Sequence, residues 1–384
     1  MTTPAHTGAP GGVDVPVAAP ARHLYVHLPF CAHRCGYCAF VVETGGLDRR
    51  DDYIAAVICE VEQRCAEIGV LDTIYLGGGT PTLMRPRRIA RLLRALADRT
   101  ARAAEVTVEA NPETVDGAQL DALRAAGVTR VSLGAQSFRP RVLERLERRA
   151  TAEQVEAAVR CARRAGFDSV GIDLLFAVPG QTAADLEGDI ARALALGVDH
   201  VSWYELEIKP GTALERMGAA PPDEDDAADA YERIVDALTA AGFEWYETAN
   251  FARPGHRARH NMAYWTAADH VGVGVGAVGT AGGLRRRNAP GVDRYVAALR
   301  AGREPAHAVE ALDADTRRRE RWMLGLRLAD GVDTSRVGPP DHPVALDDLE
   351  DAGMLVRDGA RVRLTHRARF VQNAVAGRLM DFAA

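Results

Sequence analysis

From about residue 116 to residue 246 the chain repeats one local pattern. A stretch with apolar residues at helical spacing ends in a small residue and Gly, and a short apolar run rich in β-branched residues follows. The pattern occurs at RAAGVTRVSLG, RRAGFDSVGIDLLF, LALGVDHVSWYEL and TAAGFEWYE, with Gly127, Gly166, Gly197 and Gly242 at the junctions. Gly just past a helix end suits the position where a positive φ closes the last turn. Nearly continuous apolar strands suit a parallel sheet covered on both faces. Earlier strands are predicted at 24–28 (LYVHL), 72–78 (DTIYLGG) and 105–110 (EVTVEA), and helices at 49–68, 86–98, 116–126, 139–165 and 183–196. The order is therefore strand then helix, about six times, ending near residues 205–208. Right-handed crossovers curl such a series into a full or partial α/β barrel; an open doubly wound sheet is the alternative.

After a polar, Pro-containing break at 218–226 (GAAPPDEDD) this rhythm weakens. HNMAYW at 260–265 and a glycine-dense run at 271–283 follow. From about residue 310 the pattern is helical, with a small basic hairpin near LVRDGARVRL and a terminal helix, which predicts a smaller, mostly helical, winged-helix-like domain. The expected division is a disordered Ala/Pro/Gly-rich leader at 1–21, a barrel at 22–250 and a C-terminal domain at 251–384. The leader lacks the basic and apolar regions of a secretory signal. No run of about 18 apolar residues predicts a transmembrane helix; peripheral membrane contact stays open.

Composition narrows the function classes. Lys plus Arg number 47 against 53 Asp plus Glu, a net charge of −6, which lacks the basic bias of a nucleic-acid binder. Six cysteines in 384 residues are too few for a disulfide scaffold and point to a reducing cytoplasm. Cys59, Cys65 and Cys161 are scattered and read as small, semi-buried apolar side chains.

Cys31, Cys35 and Cys38 are different: three thiols within eight positions, directly after the first strand. In a barrel of strand–helix units that loop lies at the C-terminal face, where sites are built. A structural zinc needs four ligands, and His27 or His33 is near enough in sequence to supply one. A [4Fe–4S] cluster also takes four, so three leave one iron open, as in reactive metal centres. The second strand ends in GGGTP, whose glycines give a ligand close access to the backbone. Glu109, Gln136 and Asp173 fall at or near the ends of the next three strands.

Together CAHRCGYC, GGGTPT, VEANPE, SLGAQSF, DLLFAVPGQT, HNMAYW and ERWMLGLRLADGVD resemble the radical S-adenosylmethionine (SAM) superfamily, over residues 22 to about 375. The branch they resemble holds the oxygen-independent coproporphyrinogen III oxidase HemN and the heme chaperone HemW. The resemblance implies a partial (β/α)6 barrel, a [4Fe–4S] cluster on Cys31, Cys35 and Cys38, and SAM on the open iron. It implies SAM contacts from Tyr25, Tyr37, Gly78, Gly79, Thr80, Glu109, Gln136, Arg148 and Asp173. The family's LGRxH segment reads LERRA here, with Glu147 for Gly and Ala150 for His, so Arg148 and Arg149 both stay candidates for the SAM carboxylate. Ala177 also replaces a usual Gly, a change of little expected consequence.

Phe40 stands where the oxidase has a fourth cysteine and the chaperone group has Phe. The resemblance then implies a heme chaperone with heme as cargo, an acceptor hemoprotein such as a cytochrome component, and a reductant for the cluster. His260, Asn261 and Tyr264 of HNMAYW become candidate heme residues, though a packed turn explains them equally well. The alternatives are the oxidase itself, or a related methyltransferase acting on a porphyrin-like substrate. Whether the chain is an enzyme stays undecided at this stage.

Overall fold

A computed structural model describes residues 19–381. Most of the leader, residues 1–18, lies outside the described residues, as do 382–384. Six strands, β1 (Ala21–Leu28), β2 (Ile68–Gly78), β3 (Thr100–Ala110), β4 (Arg130–Gln136), β5 (Ser169–Phe176) and β6 (His200–Glu205), pair in parallel and in chain order. Strictly sequential pairing is that of a barrel; a doubly wound sheet would reverse order at a switch point. Between the strands run α1 (Arg50–Gln63), α2 (Pro86–Ala95), α3 (Gly117–Ala125), α4 (Pro140–Arg145), α5 (Ala152–Arg164) and α6 (Ala183–Ala195), and α7 (Glu224–Ala240) follows β6. The four junction glycines all take positive φ, as their place after a helix requires.

One helix differs from expectation. The predicted 139–165 helix is two, α4 and α5, because Thr151 and Gln154 form a reciprocal cap that starts a new helix. The turn between them carries Glu147 at φ 52. The strand pattern also resolves more finely than continuous apolarity suggested. Leu24, Val26, Ile74, Leu76, Val106, Val108, Val131, Leu133, Ile172 and Val201 belong to the main core. The alternate positions, among them Tyr75, Thr107, Glu109, Ser132, Asp173 and Ser202, line the inner cavity.

The sheet continues past both edges. β7 (Glu244–Trp245) and β8 (Asn250–Ala252) extend the β6 side antiparallel. On the other side β9 (His270–Val273) pairs parallel with β1, followed by antiparallel β10 (Val278–Ala281), β11 (Leu284–Asn288) and β12 (His307–Ala311). Residues 270–311 thus join the barrel sheet, so a boundary at 250 falls inside it. The glycine-dense run makes that hairpin sterically feasible: a Cβ on Gly272 would lie 2.3 Å from the Val278 carbonyl oxygen. Fully buried Glu60 of α1 ties the segment down. It accepts from Gly274 N (2.9 Å), Asn288 Nδ2 (2.8 Å) and Tyr295 Oη (2.7 Å), the last on α9 (Val292–Arg300). Losing one of these donors would leave the buried carboxylate under-satisfied, with the buried Arg64 guanidinium 3.6 Å away as its charge partner.

The C-terminal part builds its own core around Trp322, Leu326, Val362 and Leu379. It combines α10 (Ala314–Gly325), helices at Ala345–Asp351 and Gln372–Leu379, and the predicted hairpin at 355–364, to which Val332–Asp333 adds a third antiparallel strand. No described helix is long and apolar enough to cross a membrane.

Candidate active site at the barrel mouth

A cavity of about 410 Å³ opens at the C-terminal end of the strands. Cys31, Cys35 and Cys38 all line it, and so do Tyr37, Gly78, Gly79, Thr80, Glu109, Gln136, Arg148 and Asp173. Side chains from a loop and four strands therefore converge where the sequence placed them. Tyr25 is the exception. It lines an adjoining cavity with Phe40 and Tyr264, and its ring stacks on Tyr75 at 6.1 Å.

The cysteine loop is pressed against the GGGTP turn. Gly79 N donates to Leu28 O and Thr80 N to Phe30 O, at 2.9 and 2.8 Å. A Cβ on Gly79 would lie 2.6 Å from the Pro29 carbonyl carbon. One on Gly78, at φ 109, would lie 2.5 Å from the His27 ring. Only glycine fits this contact. Thr80 Oγ1 approaches Cys31 Sγ at 3.6 Å and an Arg148 nitrogen approaches Cys35 Sγ at 3.7 Å. Burial pushes the Cys31 thiol up to about 11, and that of Cys38 upward as well.

Of the two histidines considered as a fourth metal ligand, His27 has both ring nitrogens engaged and His33 has one. His27 Nε2 donates to Val41 O at 2.8 Å, leaving Nδ1 to accept from Tyr25 Oη; His33 Nε2 donates to Glu147 O at 3.1 Å. Among the described residues no group of three His, Cys, Asp or Glu side chains converges on a single-ion geometry. Three thiols around one cavity, without a fourth donor, fit a larger cluster with one open position better than a zinc ion.

Polar groups at the cavity wall complete the site. Glu109 accepts from Tyr75 Oη at 2.8 Å and Gly78 N at 3.0 Å. Burial, reinforced by nearby Asp173, pushes its carboxyl up to about 7. Asp173 is held by Ser132 Oγ at 3.0 Å, and burial raises its carboxyl too. Arg148 is 9% exposed, whereas Arg149 is exposed. Arg148 donates to Asn111 Oδ1 at 2.6 Å and to the Gly134 carbonyl, and its Nε is buried without a partner. Thr107 Oγ1, on the same wall, is likewise unpaired. Arg148 and Thr107 both line the cavity, whose polar wall suits a ligand with carboxylate and hydroxyl groups.

Two departures from the family pattern have a backbone consequence. Glu147 and Ala177, both at positions of usual Gly, have φ of 52 and 57. The Ala177 change is therefore less neutral than its small size suggested. Gln136, at the cavity itself, also takes a left-handed φ of 67, beside an irregularity in the β4–β5 register.

HNMAYW forms α8 (Arg259–Trp265) and seals the opposite end of the barrel. Its first two N–H groups, from Arg259 and His260, both donate to the Glu105 carboxylate at 3.0 Å. Asn261 reaches the main cavity. His260 is 1% exposed, with Nδ1 2.7 Å from Thr73 Oγ1 and Nε2 2.9 Å from Tyr264 Oη. Both ring nitrogens are committed within the fold.

Asn111, Tyr75 and Ser132 were missed from sequence. Asn111 bridges Thr80 and Arg148; the other two hold Glu109 and Asp173. Two-residue spacing along a strand was the available signal: Tyr75 precedes Gly77, and Ser132 precedes Gly134 and Gln136. Of the scattered cysteines, Cys59 and Cys161 are partly buried as expected, but Cys65 is exposed.

Comparison with known proteins fits this geometry. Residues 25–193 match the radical SAM superfamily and 312–371 the HemN C-terminal domain. The chain is 39% identical to the heme chaperone HemW of Mycobacterium tuberculosis (strain H37Rv), over 96% of this chain and 98% of that protein. The chain belongs to the HemW family of radical SAM proteins. HemW of Bacillus subtilis (strain 168) is 32% identical, over 93% of this chain and 98% of its own. HemW of Escherichia coli (strain K12) is 36% identical, over 68% of this chain and 71% of its own. The fold is that of the Escherichia coli coproporphyrinogen III oxidase HemN, a radical SAM enzyme, with a TM-score of 0.82 at 23% identity over 95% of this chain and 91% of that one.

Proposed function

We propose that this chain binds heme and delivers it to an acceptor hemoprotein such as a cytochrome component, and that Cys31, Cys35 and Cys38 hold a [4Fe–4S] cluster with SAM beside it. Phe40 carries the choice of delivery over oxidation. It stands where the oxidase has a further cysteine, is 67% exposed, and borders the cysteine cavity. The HemW relatives, named as heme chaperones, support the same choice. When bound, such a cluster can pass one electron to SAM at its open iron. Within that arrangement Glu109 takes the ribose hydroxyls and Arg148 the methionine carboxylate. Gly78, Gly79 and Thr80 form the backbone edge beside the amino group. Gln136, Asp173, Tyr25 and Tyr37 are assigned to the same ligand, Tyr25 acting from behind Tyr75. His260, Asn261 and Tyr264 support the cargo end of the barrel. A cytoplasmic location and an external reductant belong to the same reading.

The second reading, coproporphyrinogen III oxidation, is favoured by the completeness of the SAM-type cavity. Anaerobically reconstituted protein incubated with dithionite, SAM and coproporphyrinogen III separates the two. Delivery predicts no vinyl product and stoichiometric uptake of added hemin. Vinyl product without hemin uptake would reverse the assignment.

A further inference from the structure

A second cavity, of about 760 Å³, lies at the other end of the barrel, between β1, the end of α8 and the C-terminal domain. Apolar surface comes from Met262, Trp265 and Leu328. Arg317 and Arg361 in its walls face Asp269 and Asp333 at 2.8 and 3.9 Å. Arg321 and Arg336 also line it, and among the described residues neither forms an ion pair.

His23 of β1 lines the same cleft. Its Nδ1 lies 3.0 Å from Thr73 Oγ1, which lies 2.7 Å from His260 Nδ1, and His260 Nε2 lies 2.9 Å from Tyr264 Oη. The His260 of HNMAYW thus sits at the centre of a relay that orients a second histidine. Among the described residues no hydrogen bond engages His23 Nε2, and that atom is not sealed in the interior. An imidazole fixed through one nitrogen, with the other free, is the usual form of a metal-ligating histidine.

We propose that this cleft is the cargo site: a flat tetrapyrrole packs on Met262 and Trp265, its carboxylates pair with Arg321 and Arg336, and His23 Nε2 ligates its iron. His260 is then a positioning residue, acting through Thr73. The proposal rests on the heme-delivery reading above. The cleft's size falls in the range of cofactor pockets, and apolar walls with a few polar anchors match a macrocycle with carboxylate arms. Cargo and cluster occupy opposite ends of the barrel, so neither competes for the other's space.

The test titrates hemin into the full, anaerobically reconstituted protein, reading the Soret band and the stoichiometry. His23→Ala shifts the band and weakens binding at least about tenfold, and added imidazole restores the band. Arg321→Glu with Arg336→Glu weakens binding by roughly tenfold per site and leaves the band in place. Thr73→Val alters the band without removing binding. Should His23→Ala fail to fold, the arginine pair still decides, because those side chains are not core residues. Wild-type affinity and spectrum in both variants would overturn the placement alone. Absence of hemin uptake by the wild type would overturn both the placement and the delivery reading.

Discussion

Replacing Arg148 tests the site at its most constrained point. The guanidinium reaches Asn111 Oδ1, the Gly134 carbonyl and the vicinity of Cys35 Sγ from a position 9% exposed. Arg148→Ala therefore does two things. It removes the donor to the buried Gly134 carbonyl, which costs about 1–3 kcal/mol in stability, and to the partly buried Asn111 Oδ1, which costs less. It also removes the charge-assisted, two-pronged contact assigned to the SAM carboxylate, about 1.5–3 kcal/mol, or roughly 10- to 150-fold in affinity. Arg148→Lys keeps the charge without the fork and falls between. Arg149 is exposed, so Arg149→Ala should leave SAM affinity within about twofold, as expected of an exposed side chain. The assay is anaerobic equilibrium dialysis of labelled SAM on protein whose iron and sulfide content has first been matched to wild type. Loss of SAM binding in Arg149→Ala with retention in Arg148→Ala would refute the reasoning.

Other perturbations follow from the same geometry. Glu147→Gly and Ala177→Gly relieve left-handed strain of about 1–2 kcal/mol each, partly offset by glycine's greater unfolded entropy. Both should stabilise the fold by a net of roughly 0.5–1 kcal/mol each and so raise the thermal midpoint; a lowered midpoint in both contradicts the strain argument. Gly79→Ala forces a Cβ to 2.6 Å from Pro29, so the loop must move and iron incorporation should fall sharply while the melting transition persists. Glu109 has its folded pKa raised from 4.5 to about 7, so its neutral form favours the fold at low pH, and that contribution is lost as pH rises between those values. Wild type should lose more thermal stability across that window than Glu109→Gln, and its SAM affinity should rise over the same range as the carboxylate forms; parallel pH profiles in the two proteins would deny Glu109 this role.

Much of the barrel was legible because each strand–helix unit carries its own punctuation. A Gly after α3, α5, α6 and α7 and an apolar run after each Gly are local signals, and the structure follows them. The cysteine spacing and the strand-end polar residues were legible for the same reason. The Thr151 cap was readable as T-x-x-Q, yet the apolar periodicity running across it hid the break. What sequence did not convey depends on distant pairing. Nothing local says that the segment after residue 270 lies beside β1, because Glu60 of α1 gathers Gly274, Asn288 and Tyr295 from far along the chain. The split roles of HNMAYW were hidden likewise. Helical geometry turns His260 inward to Thr73, while Met262 and Trp265 line the cleft. His23, one histidine on an edge of the pattern, carried no signal until Thr73 placed it next to His260.

The measurement closest to the central claim is heme transfer. Cluster-loaded protein charged with one equivalent of heme is mixed anaerobically with an apo-cytochrome, and the acceptor's Soret band is followed over time. Delivery predicts a band that grows to match the heme supplied, faster than from free hemin with an equal amount of albumin. Heme that stays on the chain, or acceptor filling no faster than from the albumin control, would contradict it.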